Sequence, residues 1–239
     1  MKLSYLKEII LDILFPQFCL ICKKEGDIVC KDCLSLIEVS EQQFCPFCET
    51  PKIVIGKGKC PLHEKMNLDG LFSATDYKNI LIKKLITSFK YNPFLKDLSP
   101  HLASLIIAHF LLSENKIIFK QKENTIIVPV PLSAARFRWR GFNQATLLAK
   151  ELSEFLKASL QVNNLIKIKE AQPQVSLSKE KRRENVQNAF FLRNPQIVKG
   201  KRIFLIDDVF TTGATMEECA KVLKIGGAKE VWGVVIARG

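Results

Sequence analysis

Apolar residues are distributed in two textures along this 239-residue chain, and the change between them divides it. At the start, Leu3, Leu6, Ile9, Ile10, Ile13 and Leu14 recur at helical intervals, and Pro16 ends the run. The polar positions between them are mixed in sign, so the helix expected over 1–16 packs between domains rather than lying on a membrane. Residues 17–66 hold few long apolar segments and build no core without a staple. From Leu71 onward, runs of strand and helix character take turns. "LFSATDY" reads as a strand, then "ILIKKLITSFK" and "PHLASLIIAHFLL" as helices. "TIIVPVP" reads as a buried strand, "NQATLLAKELSEFLKASL" as a helix and "RIFLIDD" as a strand. "TMEECAKVLKIGGA" is a helix stopped by Gly226-Gly227, and "VWGVVIA" a last strand. This alternation predicts an α/β domain over 71–239, a parallel sheet with helices on both faces. Residues 171–184, "AQPQVSLSKEKRRE", lack apolar periodicity and are long for a simple connection, as disordered segments and functional lids are.

Composition places the chain among folded globular proteins, with 47% hydrophobic and 25% charged residues. No run reaches the roughly 18 apolar residues that span a membrane. Glu8 and Asp12 interrupt the apolar start and no small-residue cleavage site follows, so an export signal is not expected. Charge sharpens the division. Residues 1–76 carry 9 Lys and Arg against 11 Asp and Glu, whereas 77–239 carry 27 against 13. A polyanionic partner is therefore expected at the second part.

Seven of the eight cysteines precede residue 61. Cys19-x-x-Cys22 with Cys30-x-x-Cys33, and Cys45-x-x-Cys48 with Cys60-x-x-His63, make two sets of four soft donors. A two-residue gap lets both thiolates of a knuckle reach one tetrahedral zinc at about 2.3 Å, and four protein ligands mark a structural ion. The donors can serve the ions sequentially or interleaved, and His63 is the weakest of the eight. A thiol-rich module of this kind suits the reducing cytoplasm.

The chemistry of the second part concentrates in "IFLIDDVFTTGAT", residues 203–215. Adjacent carboxylates at a strand end repel each other unless something they bind compensates. The loop after them, with Gly213 permitting a tight turn and Thr211, Thr212 and Thr215 adding hydroxyls, precedes a helix N-terminus and has the makings of a phosphate cradle. Phosphate at one end and a sugar diol at the other describe a ribose 5-phosphate.

"LIDDVFTTGAT" resembles the signature of type I phosphoribosyltransferases, which bind 5-phosphoribosyl 1-pyrophosphate (PRPP). With "RGFNQ", "KRRENVQNAF" and the knuckles in this order, the chain from about Leu14 onward resembles the ComF family of competence-associated proteins. That resemblance implies a type I phosphoribosyltransferase-like parallel sheet flanked by helices, preceded by a small zinc-ribbon module. It implies that Asp207 and Asp208 face the ribose hydroxyls, that Thr211, Thr212, Gly213, Ala214 and Thr215 hold the 5-phosphate, and that Val209 and Phe210 belong to the same PRPP-binding stretch. Residues 130–136 take the pyrophosphate-loop position and 172–185 the lid. Arg136, Arg138 and Arg140, with Lys179, Lys181, Arg182 and Arg183 on the lid, are the cations for pyrophosphate or for DNA. Mg²⁺ accompanies PRPP. In hypoxanthine-guanine enzymes an acid stands at the position of Thr211, and threonine cannot do its work, which disfavours 6-oxopurine salvage. Leu132-Ser133-Ala134-Ala135 replaces the glycines of many salvage enzymes, and no residue set identifies an acceptor. Family members are associated with natural transformation, in handling incoming single-stranded DNA in the cytoplasm. "RFRWRGF" suits that strand, its guanidinium groups tracking phosphate while Phe137, Trp139 or Phe142 stacks on bases. The expected partners are thus PRPP, single-stranded DNA and proteins of the competence machinery, the ribbons offering the last a docking platform. Transfer of ribose 5-phosphate from PRPP to an acceptor is the alternative activity.

Overall fold

The structure is a computed structural model and describes residues 16–54, 58–91, 93–113, 124–169 and 186–239. The helix expected over 1–16, apart from Pro16, and the lid with Lys179, Lys181, Arg182 and Arg183 lie outside the described residues. The strands are β1 (Gly70–Asp76), β2 (Thr125–Pro129), β3 (Ser159–Leu160), β4 (Leu165–Lys167), β5 (Phe190–Leu192), β6 (Arg202–Ile206), β7 (Val209–Phe210) and β8 (Glu230–Arg238). The α-helices are α1 (Lys31–Ser35), α2 (Ile80–Lys90), α3 (Ser99–Leu112), α4 (Ala134–Arg140), α5 (Gln144–Leu156) and α6 (Ala214–Ile225). One sheet runs β1-β8-β6-β2-β3 with every pair parallel, and β7 rejoins β8 beyond the end of β6.

Strand periodicity sorts the core into two layers. Ile127, Phe204, Ile206, Trp232, Val234 and Ile236 meet the buried faces of α2, α3 and α5. Their neighbours Ile126, Val128, Ile203, Leu205, Val231 and Val235 meet Cys219, Ala220 and Leu223 of α6. Helices thus cover both faces, which is why the central strands are apolar throughout. Asn79 starts α2 by accepting from the Leu81 and Ile82 amides, and Ile82, Leu85, Ile86 and Phe89 form its buried stripe.

Three elements depart from the sequence expectation. α5 stops at Leu156, not Leu160, because Lys157 takes a left-handed φ of 52° and Ser159–Leu160 turn back to pair with Ile126 and Ile127. The 130–136 segment is not all turn, since Ser133 caps α4 and "AARFRWR" is helical. β4 and β5 form a separate antiparallel pair that short apolar runs did not announce.

The first cysteine ribbon joins the helical layer, with Cys19, Ile28, Val29, Cys33 and Ile37 in the same core as Phe72 and Phe110. The chain then crosses the edge strand β1, where the Ser40 amide donates to the Ala74 carbonyl at 2.8 Å. The second ribbon makes its own small cluster of Cys45, Val54 and Cys60, and its Phe47 packs on the opposite layer. Neighbouring strands β2 and β6 end side by side, and the loops after them enclose a cavity at the carboxyl edge, where open parallel sheets bind ligands.

Candidate functional site

β8 fixes the acid pair at the end of β6. The Asp207 amide donates to the Val234 carbonyl and the Ile236 amide to the Asp208 carbonyl, both at 3.0 Å. Asp208 is only 3% exposed, and its Oδ1 accepts from Lys90 Nζ at 2.6 Å. Its Oδ2 is buried without a hydrogen-bond partner among the described residues. A buried carboxylate oxygen left unmatched is costly, so the site is built for a donor that arrives with a ligand. Burial, and then the adjoining Asp208 carboxylate, pushes Asp207 up to about 7 against the pull of Lys90. Adjacent carboxylates repel, and a hydrogen-bond donor or cation between them offsets that repulsion.

Past the acids the chain turns at Gly213, whose φ is 74° and whose position leaves no room for a Cβ, which would lie 2.4 Å from Phe210 Cζ. The Glu217 amide bonds back to the Gly213 carbonyl at 2.8 Å and starts α6. Amides of Thr211, Thr212, Gly213 and Thr215 donate to no group among the described residues. Unpaired N–H groups at a turn and helix N-terminus make a positive concavity fitted to an anion.

This loop and the acids share a cavity of about 290 Å³ with Lys90, Arg136, Arg140 and Lys167. Arg136 and Arg140 lie four residues apart on α4 and face it together, whereas Arg138 does not line it and is exposed. Arg140 donates to Gln144 Oε1 through Nη1, and its Nε is buried without a partner among the described residues. Burial lowers the pKa of Arg140, and burial with the Arg136 guanidinium lowers that of Lys167. On Lys90 burial works the same way, but the Asp208 and Asp207 carboxylates outweigh it and the net shift is upward. Two desolvated cations short of counter-charge want an anion. The cavity thus offers acceptors for hydroxyls, amides for one phosphate and cations for a second anionic group.

Lys90 and Lys167 are the site residues the sequence reading missed. Each sits at the end of an apolar element, Lys90 closing α2 and Lys167 closing β4, and nothing local marks them. Phe142 is buried against Phe89, with ring centroids 5.9 Å apart, and is closed to bases. Phe137 and Trp139 remain at 50% and 58% exposure.

The cysteines settle into two sequential sets, Cys19, Cys22, Cys30 and Cys33, and Cys45, Cys48, Cys60 and His63. Sulfurs of Cys22 and Cys30, and of Cys48 and Cys60, lie 3.6 Å apart. His63 Nδ1 stands 3.2, 3.5 and 3.7 Å from the sulfurs of Cys60, Cys45 and Cys48. A tetrahedron with Zn–S arms of about 2.3 Å has edges near 3.8 Å, so both sets fit one zinc each, and His63 is a full member of the second. Burial, then the Cys22 and Cys30 thiols, pushes Cys33 up to about 12, and burial with Cys60 pushes Cys48 up to about 11. Thiols crowded in this way resist joint ionisation until a divalent cation joins them. Closed four-donor sets serve folding rather than catalysis.

Comparison with known proteins agrees with this division. The sequence matches the phosphoribosyl transferase domain family over residues 115–239 and the double zinc ribbon domain over residues 10–62. It is 42% identical over 115 residues to Competence protein F of Haemophilus influenzae, a match covering 46% of this chain and half of that protein. It is 28% identical over 225 residues to DNA utilization protein YhgH of Salmonella typhimurium, covering 91% of this chain and 96% of the relative. With Competence protein ComFC of Streptococcus pneumoniae the identity is 28% over 212 residues, covering 89% and 88%. No helix among the described residues is long and apolar enough to cross a membrane.

Proposed function

The chain belongs to the phosphoribosyl transferase domain family, and on that footing we propose that its cavity binds PRPP and that the protein acts, as a ComF-type protein, in DNA uptake. The observation that carries the ligand is the pairing of opposites in one cavity: a buried, unpartnered Asp208 oxygen beside a loop of unpartnered amides. In this reading the ribose hydroxyls donate to Asp207 and Asp208, and the 5-phosphate accepts from the amides of Thr211, Thr212, Gly213 and Thr215. The pyrophosphate lies against Arg136, Arg140 and Lys167. Mg²⁺, for which the bare Asp208 oxygen is a suitable hard donor, supplies charge neutralisation when bound. Lys90 leaves Asp208 or shares it once the diol arrives.

The role in DNA uptake follows the relatives, named competence and DNA utilization proteins. We take the handled polymer to be single-stranded DNA and the compartment the cytoplasm, where free thiolates persist. Exposed Phe137, Trp139 and Arg138 supply the stacking and phosphate contacts such a strand needs. Turnover of PRPP onto an acceptor is the second reading. It is favoured by the match of residues 115–239 to the phosphoribosyl transferase domain family.

Calorimetric titration of the zinc-loaded protein with PRPP and Mg²⁺ tests the ligand. One site per chain is expected, lost in the Asp207→Asn, Asp208→Asn double variant; a parent protein that takes up no PRPP refutes the assignment. Release of pyrophosphate in the presence of candidate bases distinguishes turnover from binding alone.

A further inference from the structure

The second cysteine ribbon packs against the back of the 211–215 loop. Phe47 lies inside the Cys45-x-x-Cys48 knuckle. Its ring is 5.6 Å from the His63 ring on one side and meets the Phe210 ring edge-on at 6.5 Å on the other. Phe210 is 2% exposed and is the surface on which the Gly213 turn rests. A second grip comes from the last strand. Arg238 pairs with Phe210 in the β7–β8 register, and its guanidinium donates through Nη1 to the Cys45 carbonyl at 3.1 Å and through Nη2 to the Cys48 carbonyl at 2.7 Å. A third joins the segment after His63 to α6. The Asn67 and Leu68 amides donate to the two carboxylate oxygens of Glu217, at 2.7 and 3.0 Å, in the first turn of the helix that the loop opens. The first ribbon makes no such contact among the described residues and packs on the other face of the sheet.

We propose that the second metal knuckle is a positioning element for the 211–215 loop, with Phe47 and Arg238 as its positioning residues, and that it sets the loop's affinity for phosphate. The chain of contact is short. The metal ligands Cys45 and Cys48 fix Phe47 and hold two carbonyls for Arg238, Phe47 braces Phe210, and Phe210 underlies Gly213. Unpaired amides serve an anion only if they converge before it arrives, because ordering them at binding subtracts from affinity. A knuckle closed by its metal supplies that order, and one stripped of its metal by a chelator withdraws it. The phosphate itself rests on the reading given above; the bracing of the loop does not.

Hydrogen exchange of the bonded amides that frame the loop, Glu217 on the Gly213 carbonyl and Gly239 on the Phe210 carbonyl, tests the bracing in the zinc-loaded full chain without any ligand. Phe47→Ala should speed exchange there by about three- to tenfold, the loss of one aromatic contact, with both zinc ions retained by elemental analysis and β2 unchanged. Phe47→Tyr, which keeps the ring, should restore the parent rate. Arg238→Met, which keeps an apolar stem without the fork, should speed the same amides and provides the test if Phe47→Ala does not fold. PRPP affinity should fall in step with loop protection. Parent-like exchange in both Phe47→Ala and Arg238→Met overturns the proposal, as does faster exchange with unchanged PRPP affinity. If the parent protein binds no PRPP, the ligand reading fails, and loop exchange alone decides the bracing.

Discussion

At the scale of the residue, the acid pair sets the pH response. The folded-state pKa of Asp207 lies at about 7, above its unfolded value near 3.9, so the folded chain binds the extra proton between those limits. On its own this group makes the empty protein less stable as pH rises from about 4 to 7. A diol that donates to the ionised acid has the opposite preference. PRPP affinity should therefore rise about tenfold between pH 6 and 8 by calorimetry, and this dependence should flatten in Asp207→Asn. Ribose 5-phosphate run alongside separates titration of the ligand from that of the protein. Lys90→Met leaves the buried Asp208 carboxylate without its cation. It should cost about 3 kcal/mol in urea unfolding at pH 8.

At the scale of the element, α4 divides its charges between two faces. Arg136 and Arg140 line the cavity while Arg138 looks away from it. Arg138→Ala should weaken single-stranded DNA binding and lower its salt slope by about one in a fluorescence titration while leaving PRPP affinity intact. Loss of both, or of neither, contradicts this division. The sequence exposed the loop because its determinants are contiguous: strand, two acids, Gly213 and the helix start fall within thirteen residues. It exposed the ribbons for the same reason, since knuckle spacing is local. It did not expose Lys90, Lys167 or the Arg238 fork, which reach the site or its buttress from distant parts of the chain through tertiary packing. The short pair β4 and β5 escaped because three-residue strands carry too few positions for a period to register.

At the scale of the whole molecule, the zinc ribbons and the α/β sheet form one connected object. The first ribbon completes the helical layer and the second braces the carboxyl edge where the cavity opens. Elemental analysis should return two zinc ions per chain, and stripping them should unfold the ribbons, as a loss of near-ultraviolet dichroism, before the sheet melts. The uneven charge fits the same plan, with the excess of Lys and Arg confined to the part that holds the cavity. The most direct measurement is a crystal structure with PRPP and Mg²⁺ bound. The account predicts the 5-phosphate within hydrogen-bond reach of the amides of Thr211, Thr212, Gly213 and Thr215, the ribose hydroxyls on Asp207 and Asp208, and Lys90 shifted from Asp208. A ligand found elsewhere on the basic surface, with the acid pair still closed on Lys90, would contradict it.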